Sequence, residues 1–234
     1  MHGQMSEPAA VPRSGLIVFD LDGTLIDSRQ DIADTTNALL VELGAEPLPA
    51  NAVAAMVGEG AAVLVRRALV RSGLRPDLRQ ALARFLELYD ERLLVHTRPY
   101  AGVREALEAL QPQRALAVLT NKPGRHTTRI LEELDLARYF GQVIGGDSPL
   151  GRKPDPAGLR QLVTAAGATP EATVLVGDSP IDLETARRAG TRACLARYGF
   201  GFTFRPDDFR GDELFVDRPS DLPSTLFDQR LATD

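Results

Sequence analysis

Residues 15–20, GLIVFD, run five apolar or small residues straight into a carboxylate. A strand with one face in water alternates apolar and polar residues. A strand without that alternation is covered on both faces, which is the habit of parallel sheets. The pattern returns at RALAVLT (114–120), ATVLVGD (172–178) and TRACLAR (191–197), and in shorter form at GQVIGGD (141–147) and ELFV (213–216). Helical periodicity fills residues 126–140, 155–167 and 179–190 between them. Strand and helix in alternation predict an α/β fold with a parallel sheet flanked by helices.

Residues 29–97 interrupt that alternation. The segments 29–44, 51–73 and 77–95 all read as helices, and no strand candidate separates them. A compact helical unit inserted after the first strand is the expected arrangement, with the chain re-entering the sheet at RPYAGVREALEAL (98–110). The predicted division is an α/β core of residues 15–28 and 98–234 and a helical insertion of residues 29–97. A chain of 234 residues suits one core plus an insertion. Residues 1–14 lack an apolar signal core and are expected to be a disordered lead-in. No run of about 18 apolar residues is present, so no membrane span is predicted and the cytoplasm is the expected compartment.

Charge narrows the partners. A net charge of −5 provides no basic surface for nucleic acid or anionic lipid, so an anionic ligand would need a local positive site. Of 27 basic residues only Lys122 and Lys153 are lysines. The single cysteine, Cys194, excludes an intrachain disulfide and reads as a small core hydrophobe. His2, His96 and His126 are too scattered to suggest a zinc site, and His126 is expected on a helix surface.

Open parallel sheets bind ligands beyond the carboxyl ends of their strands, and Asp20, Thr120 and Asp178 all fall there. Asp20 and Asp22, two apart in extended chain, face the same way, and two such carboxylates repel unless a cation lies near. Hard oxygen ligands suit Mg²⁺, which pairs with phosphate. Taken alone, D-x-D-G-T is equally consistent with a strand-to-turn cap. Thr120 and Asn121 precede Pro123, which suits a helix start where backbone N–H groups face an anion. Lys153 is held just ahead of a helix begun by Asp155 and Pro156. Gly177 and Asp178 close a strand, and Ser179 with Asp182 spells a capping box. Each part alone has a capping explanation; all four in this order do not.

These residues resemble the haloacid dehalogenase superfamily of phosphatases: Asp20-x-Asp22-Gly-Thr, then Thr120, then Lys153, then Gly177-Asp178 with Asp182. The resemblance covers nearly the whole chain from Gly15. The stretches DLDGTLIDS, VGEGA, RPYAGV, TNKP, GGDS, RKPDP and VGDSPID look most like the phosphoglycolate phosphatase group. It implies a Rossmann-like core with an all-α cap. It implies Asp20 as the nucleophile that becomes an aspartyl phosphate, and Asp22 as the general acid and base. It also implies Mg²⁺ held by Asp20, the Asp22 carbonyl and Asp178, with Asp182, Gly177 and Ser179 in support. Thr120, Asn121 and Lys153 would bind the phosphoryl group.

The expected substrate is a small phosphorylated metabolite, 2-phosphoglycolate first. Dehalogenases of this superfamily lack the second aspartate, so Asp22 argues against that activity. Phosphonate hydrolases use a cap lysine, and residues 29–97 contain none. Phosphatases for sugar or amino-sugar phosphates and β-phosphoglucomutase-like phosphotransferases stay open, as does a phospho-acceptor signalling domain without turnover. Specificity is expected from the insertion, where Gly58 and Gly60 could bring backbone to the substrate and Arg66 could meet a carboxylate. The sequence leaves monomer or homodimer open.

Overall fold

The computed structural model describes residues 15–227, so the lead-in expected at residues 1–14, with His2, lies outside the described residues. The chain opens with strand β1 (Leu16–Phe19), then β2 (Ile26–Asp27), and enters the insertion: α1 (Arg29–Glu42), α2 (Ala50–Ala54), α3 (Ala61–Arg71) and α4 (Leu78–Arg92). It returns through β3 (Arg98–Pro99), α5 (Val103–Leu110), β4 (Ala115–Leu119), α6 (Gly124–Glu133) and β5 (Gln142–Ile144). It finishes with α7 (Ala157–Ala165), β6 (Thr173–Gly177), α8 (Pro180–Ala189), β7 (Arg192–Ala196), β8 (Leu214–Val216) and α9 (Leu222–Phe227).

Six strands form one sheet in the order β5-β4-β1-β6-β7-β8, every pair parallel. The order runs outward from β1 to β5, then jumps to β6 and runs out the other way, so the direction reverses beside β1. That reversal opens a crevice at the carboxyl ends of β1, β4 and β6. Register brings those ends level: Phe19 pairs with Val118 on one side and Val176 on the other. The residue after β1, Asp20, donates its N–H to the Val176 carbonyl at 2.9 Å.

Why β1 carries no polar residue is visible in its two faces. Ile17 and Phe19 enter one core cluster, with Leu107, Ile130 and Leu136, while Leu16 and Val18 enter the other, with Leu159 and Leu183. Full burial of each such side chain is worth about 1.5–3 kcal/mol. Phe19 also meets Phe140 edge-on, ring centres 6.1 Å apart. Cys194 is buried in β7, and burial pushes its thiol up to about 12, which fits a packing role.

The insertion is fastened at its root. β2 and β3 pair antiparallel, Ile26 opposite Pro99. Buried Asp31 of α1 accepts the N–H groups of His96 (2.9 Å) and Thr97 (2.8 Å) and the Thr97 hydroxyl (2.7 Å), which ties the returning chain to the departing one. The single helical segment expected over residues 51–73 is two helices. Gly58 (φ +123°) and Gly60 (φ +88°) break it, in backbone conformations that other residues rarely adopt. The β2–β3 ribbon and α9 were not expected: two-residue strands and a six-residue helix are too short to show a period. Among the described residues no helix is long and apolar enough to cross a membrane.

Candidate active site

Three carboxylates meet at the crevice. Asp20 follows β1, Asp178 follows β6, and Asp182 lies in the first turn of α8. All three are buried, and one oxygen from each lies within 4.8 Å of the others. Local sequence explains the placement of Asp182. Ser179 precedes the helix in extended conformation with Pro180 next, and the Ser179 N–H and hydroxyl both donate to Asp182 Oδ2, at 3.0 and 2.6 Å. The capping box expected from sequence therefore exists, and it aims the other oxygen, Oδ1, at Lys153 Nζ, which donates to it at 2.7 Å.

Glycine makes room for Asp178. A side chain on Gly23 would overlap the Asp178 carboxylate, and Gly23 also holds φ +87° to turn the chain between Asp22 and Thr24. Gly199, beyond β7, is equally crowded against Asp178, and Gly201 donates its N–H to Asp178 Oδ2 at 2.7 Å. The sequence reading missed this 199–201 segment; its signal was Gly-Phe-Gly shortly after a predicted strand. Gly177 has no space either, because Asp182 occupies it.

The charges do not balance. Lys153, itself buried, faces Asp20 and Asp182, while among the described residues the Asp178 carboxylate accepts only the Gly201 N–H. Lys153 Nζ lies 2.7 Å from Asp20 Oδ1 as an ion pair, and the same ammonium serves Asp182. Burial first, then the Asp182 charge against the pull of Lys153, pushes the Asp20 carboxyl up to about 6. Burial, then the charges of Asp182 and Asp20, holds the Asp178 carboxyl well above the usual range. Burial disfavours the Lys153 ammonium, but the two carboxylates outweigh it and raise its pKa.

Asp22 occupies a different environment from its neighbour. Ser28 Oγ donates to its Oδ1 at 2.6 Å, and Lys122 Nζ sits 2.9 and 3.0 Å from its two oxygens. Lys122 Nζ also donates to the Tyr89 hydroxyl, 2.7 Å away on α4 of the insertion. The two lysines of the chain thus divide the D-x-D pair, Lys153 beside Asp20 and Lys122 beside Asp22. Sequence reasoning gave Lys122 no role, although a chain almost without lysine was a signal.

Thr120 and Asn121 are buried at the end of β4. The Asn121 amide is already engaged: Nδ2 donates to the carbonyls of Gly58 (2.8 Å) and Lys153 (2.9 Å), bolting the insertion's turn to the lysine loop. Gly58 and Gly60 line a cavity of about 60 Å³ with Asp20, Asp22, Thr120 and Lys122. Arg66 does not reach it. The buried face of α3 is Leu64, Val65, Ala68 and Leu69, which leaves Arg66 on the exposed side. His126 is not on a surface either: it is buried, with Nε2 2.8 Å from Asp90 Oδ1 of α4, because α4 packs over the start of α6.

A family described as haloacid dehalogenase-like hydrolase matches residues 17–196. The chain is 40% identical to a phosphoglycolate phosphatase of Pseudomonas putida, over 90% of this chain and 78% of that protein. It is 41% identical to the phosphoglycolate phosphatase of Pseudomonas syringae pv. tomato, over 79% of this chain and 70% of that one. A crystal structure from Haemophilus somnus, described as a predicted phosphoglycolate phosphatase, superposes with a TM-score of 0.84 at 32% identity, covering 91% of this chain and 97% of that one. With the sheet order, the helical insertion and the carboxylate cluster all in place, the chain belongs to the haloacid dehalogenase-like hydrolases.

Proposed function

We propose that this protein is a Mg²⁺-dependent phosphomonoesterase that hydrolyses 2-phosphoglycolate to glycolate and phosphate through an aspartyl phosphate on Asp20. The observation that carries the reading is the divided pair. One carboxylate stands in a cluster of three acids that share the single charge of Lys153, and the other is held apart by Lys122 and Ser28. Two carboxylates in unlike surroundings can take unlike roles.

The cluster fits a divalent ion. Three buried carboxylates share a single lysine, which leaves an excess of negative charge for a cation to neutralise. Asp20, the Asp22 carbonyl and Asp178 would hold Mg²⁺, with Asp182 in support. When bound, the ion would neutralise the carboxylates and draw charge from the phosphoryl oxygens. The residues of the chain do the rest. The Asp20 carboxylate attacks phosphorus, forming one P–O bond as the ester P–O bond breaks, and Asp22 gives its proton to the leaving alcohol. Asp22 then takes a proton from water, whose oxygen attacks the acyl phosphate and frees Asp20. Thr120 and Lys153 hold the phosphoryl oxygens, with Asn121 fixing the loop around Lys153. Residues 29–97 act as the cap, and their apolar side chains keep bulk water from the reaction.

Cavity size and the phosphoglycolate phosphatases among the relatives support a small substrate. A site of about 60 Å³ holds only a few waters' worth of ligand, which suits a two-carbon leaving group better than a hexose. The test is phosphate release from 2-phosphoglycolate, glucose 6-phosphate, glucosamine 6-phosphate and p-nitrophenyl phosphate, each with Mg²⁺ and with EDTA. The expected result is release only with Mg²⁺, with kcat/KM highest for 2-phosphoglycolate by tenfold or more. Equal rates across the panel would contradict the substrate. A stable acyl phosphate without turnover would instead identify a phospho-acceptor domain.

A further inference from the structure

Lys122 is the one cation among the described residues that line the cavity. Its side chain is 4% exposed, and Leu64, Phe85 and Leu86 of the insertion line the same cavity. A buried ammonium costs several kcal/mol unless it is paired. Here its partners are Asp22 and the Tyr89 hydroxyl. Tyr89 is fixed in turn, stacked on Phe85 with ring centres 5.9 Å apart and meeting His126 edge-on at 5.3 Å. Orientation of Asp22 does not by itself require this cation, because Ser28 Oγ already holds one of the Asp22 oxygens.

Position is the second part of the argument, and it rests on the hydrolase reading above. The ester oxygen that takes a proton from Asp22 must come within roughly 2.7 Å of that carboxylate. A substituent on the carbon next to that oxygen then lies on the leaving-group side, beside Lys122 Nζ, which is 2.9 Å from Asp22 Oδ1. The apolar side chains of Ile32, Val57, Leu64 and Leu86 line the same cavity. A sugar would leave hydroxyls unpaired there, a cost that desolvated polar groups carry. A carboxylate on that carbon would instead find the ammonium and the tyrosine hydroxyl.

We propose that Lys122, presented by Tyr89, recognises the carboxylate of a 2-phospho-carboxylate substrate, and that this pair determines specificity for such leaving groups. The test compares kcat/KM for 2-phosphoglycolate with that for ethyl phosphate, which carries a methyl group in place of the carboxylate. The wild-type protein should prefer 2-phosphoglycolate by about tenfold to a hundredfold, the range of a hydrogen bond to a charged group. In Lys122→Met both rates fall, because Asp22 loses a partner, and the preference collapses to within a few-fold of unity. Tyr89→Phe keeps the ring packing and should reduce the preference several-fold, which carries the test if Lys122→Met does not fold. Equal proportional losses on both substrates in these variants would overturn the inference and leave the phosphatase standing. A wild-type protein that hydrolyses both esters without preference would remove the substrate and this inference together. Release from neither would remove the hydrolase reading itself.

Discussion

Lys153→Met should lower the unfolding free energy of the metal-free protein by about 3–5 kcal/mol and abolish phosphate release. The lysine is buried between Asp20 Oδ1 and Asp182 Oδ1, 2.7 Å from each, and Asp178 shares the cluster. Its removal leaves three buried carboxylates with no counter-charge, while methionine fills much of the same volume, so the loss is electrostatic and not a cavity effect. The sign of the pH dependence follows. Carboxyls whose folded-state pKa is raised contribute stability that is present below their unfolded value and lost as pH rises through the folded one. The variant should therefore lie nearer to wild type at pH 4 than at pH 8. Urea unfolding at both pH values, with unchanged slope, measures it. A loss under about 1 kcal/mol at pH 8 would mean that Lys153 does not neutralise the cluster.

Asp20→Asn should have the opposite profile. Activity should fall on the order of 10⁴-fold or more, as for removal of a covalent nucleophile. Stability in metal-free buffer should not fall. The Asp20 carboxyl is pushed up to about 6, so ionising it at pH 7 costs about 3 kcal/mol that asparagine avoids. That net cost already includes the pull of Lys153, which keeps Asp182 as a partner in the variant. The melting temperature at pH 7 is expected within a few degrees of wild type or above it. A large drop would make Asp20 a structural acid.

The two variants act on one ion contact, between Lys153 and Asp20. Five of the six strands of the main sheet were legible because burial on both faces removes the polar half of the pattern, even in short β8; edge strand β5, with Gln142 and Val143 exposed, carries the pattern only weakly. Asp20, Asp178 and Lys153 were legible as members of ordered motifs. The pairing of Lys122 with Asp22 was not, since it joins residues a hundred positions apart, with a tyrosine of the insertion as a second partner of the lysine. Nor was the glycine-rich segment over Asp178, because close approach of backbone leaves no periodicity. Arg66 and His126 failed for a shared reason: which face of a helix is covered depends on what packs against it. Leu64 and Leu69 turn α3 so that Arg66 faces outward, and α4 covers His126.

The central claim is that a phosphoryl group passes through Asp20. The most direct measurement is an acid quench during turnover of 2-phosphoglycolate, followed by mass spectrometry of the peptide that contains Asp20 and Asp22. The account predicts one phosphoryl group on the Asp20 carboxylate, more of it in Asp22→Asn, where hydrolysis of the acyl phosphate is slowed. Phosphate release with the label on another residue, or with no labelled enzyme under either condition, would contradict it.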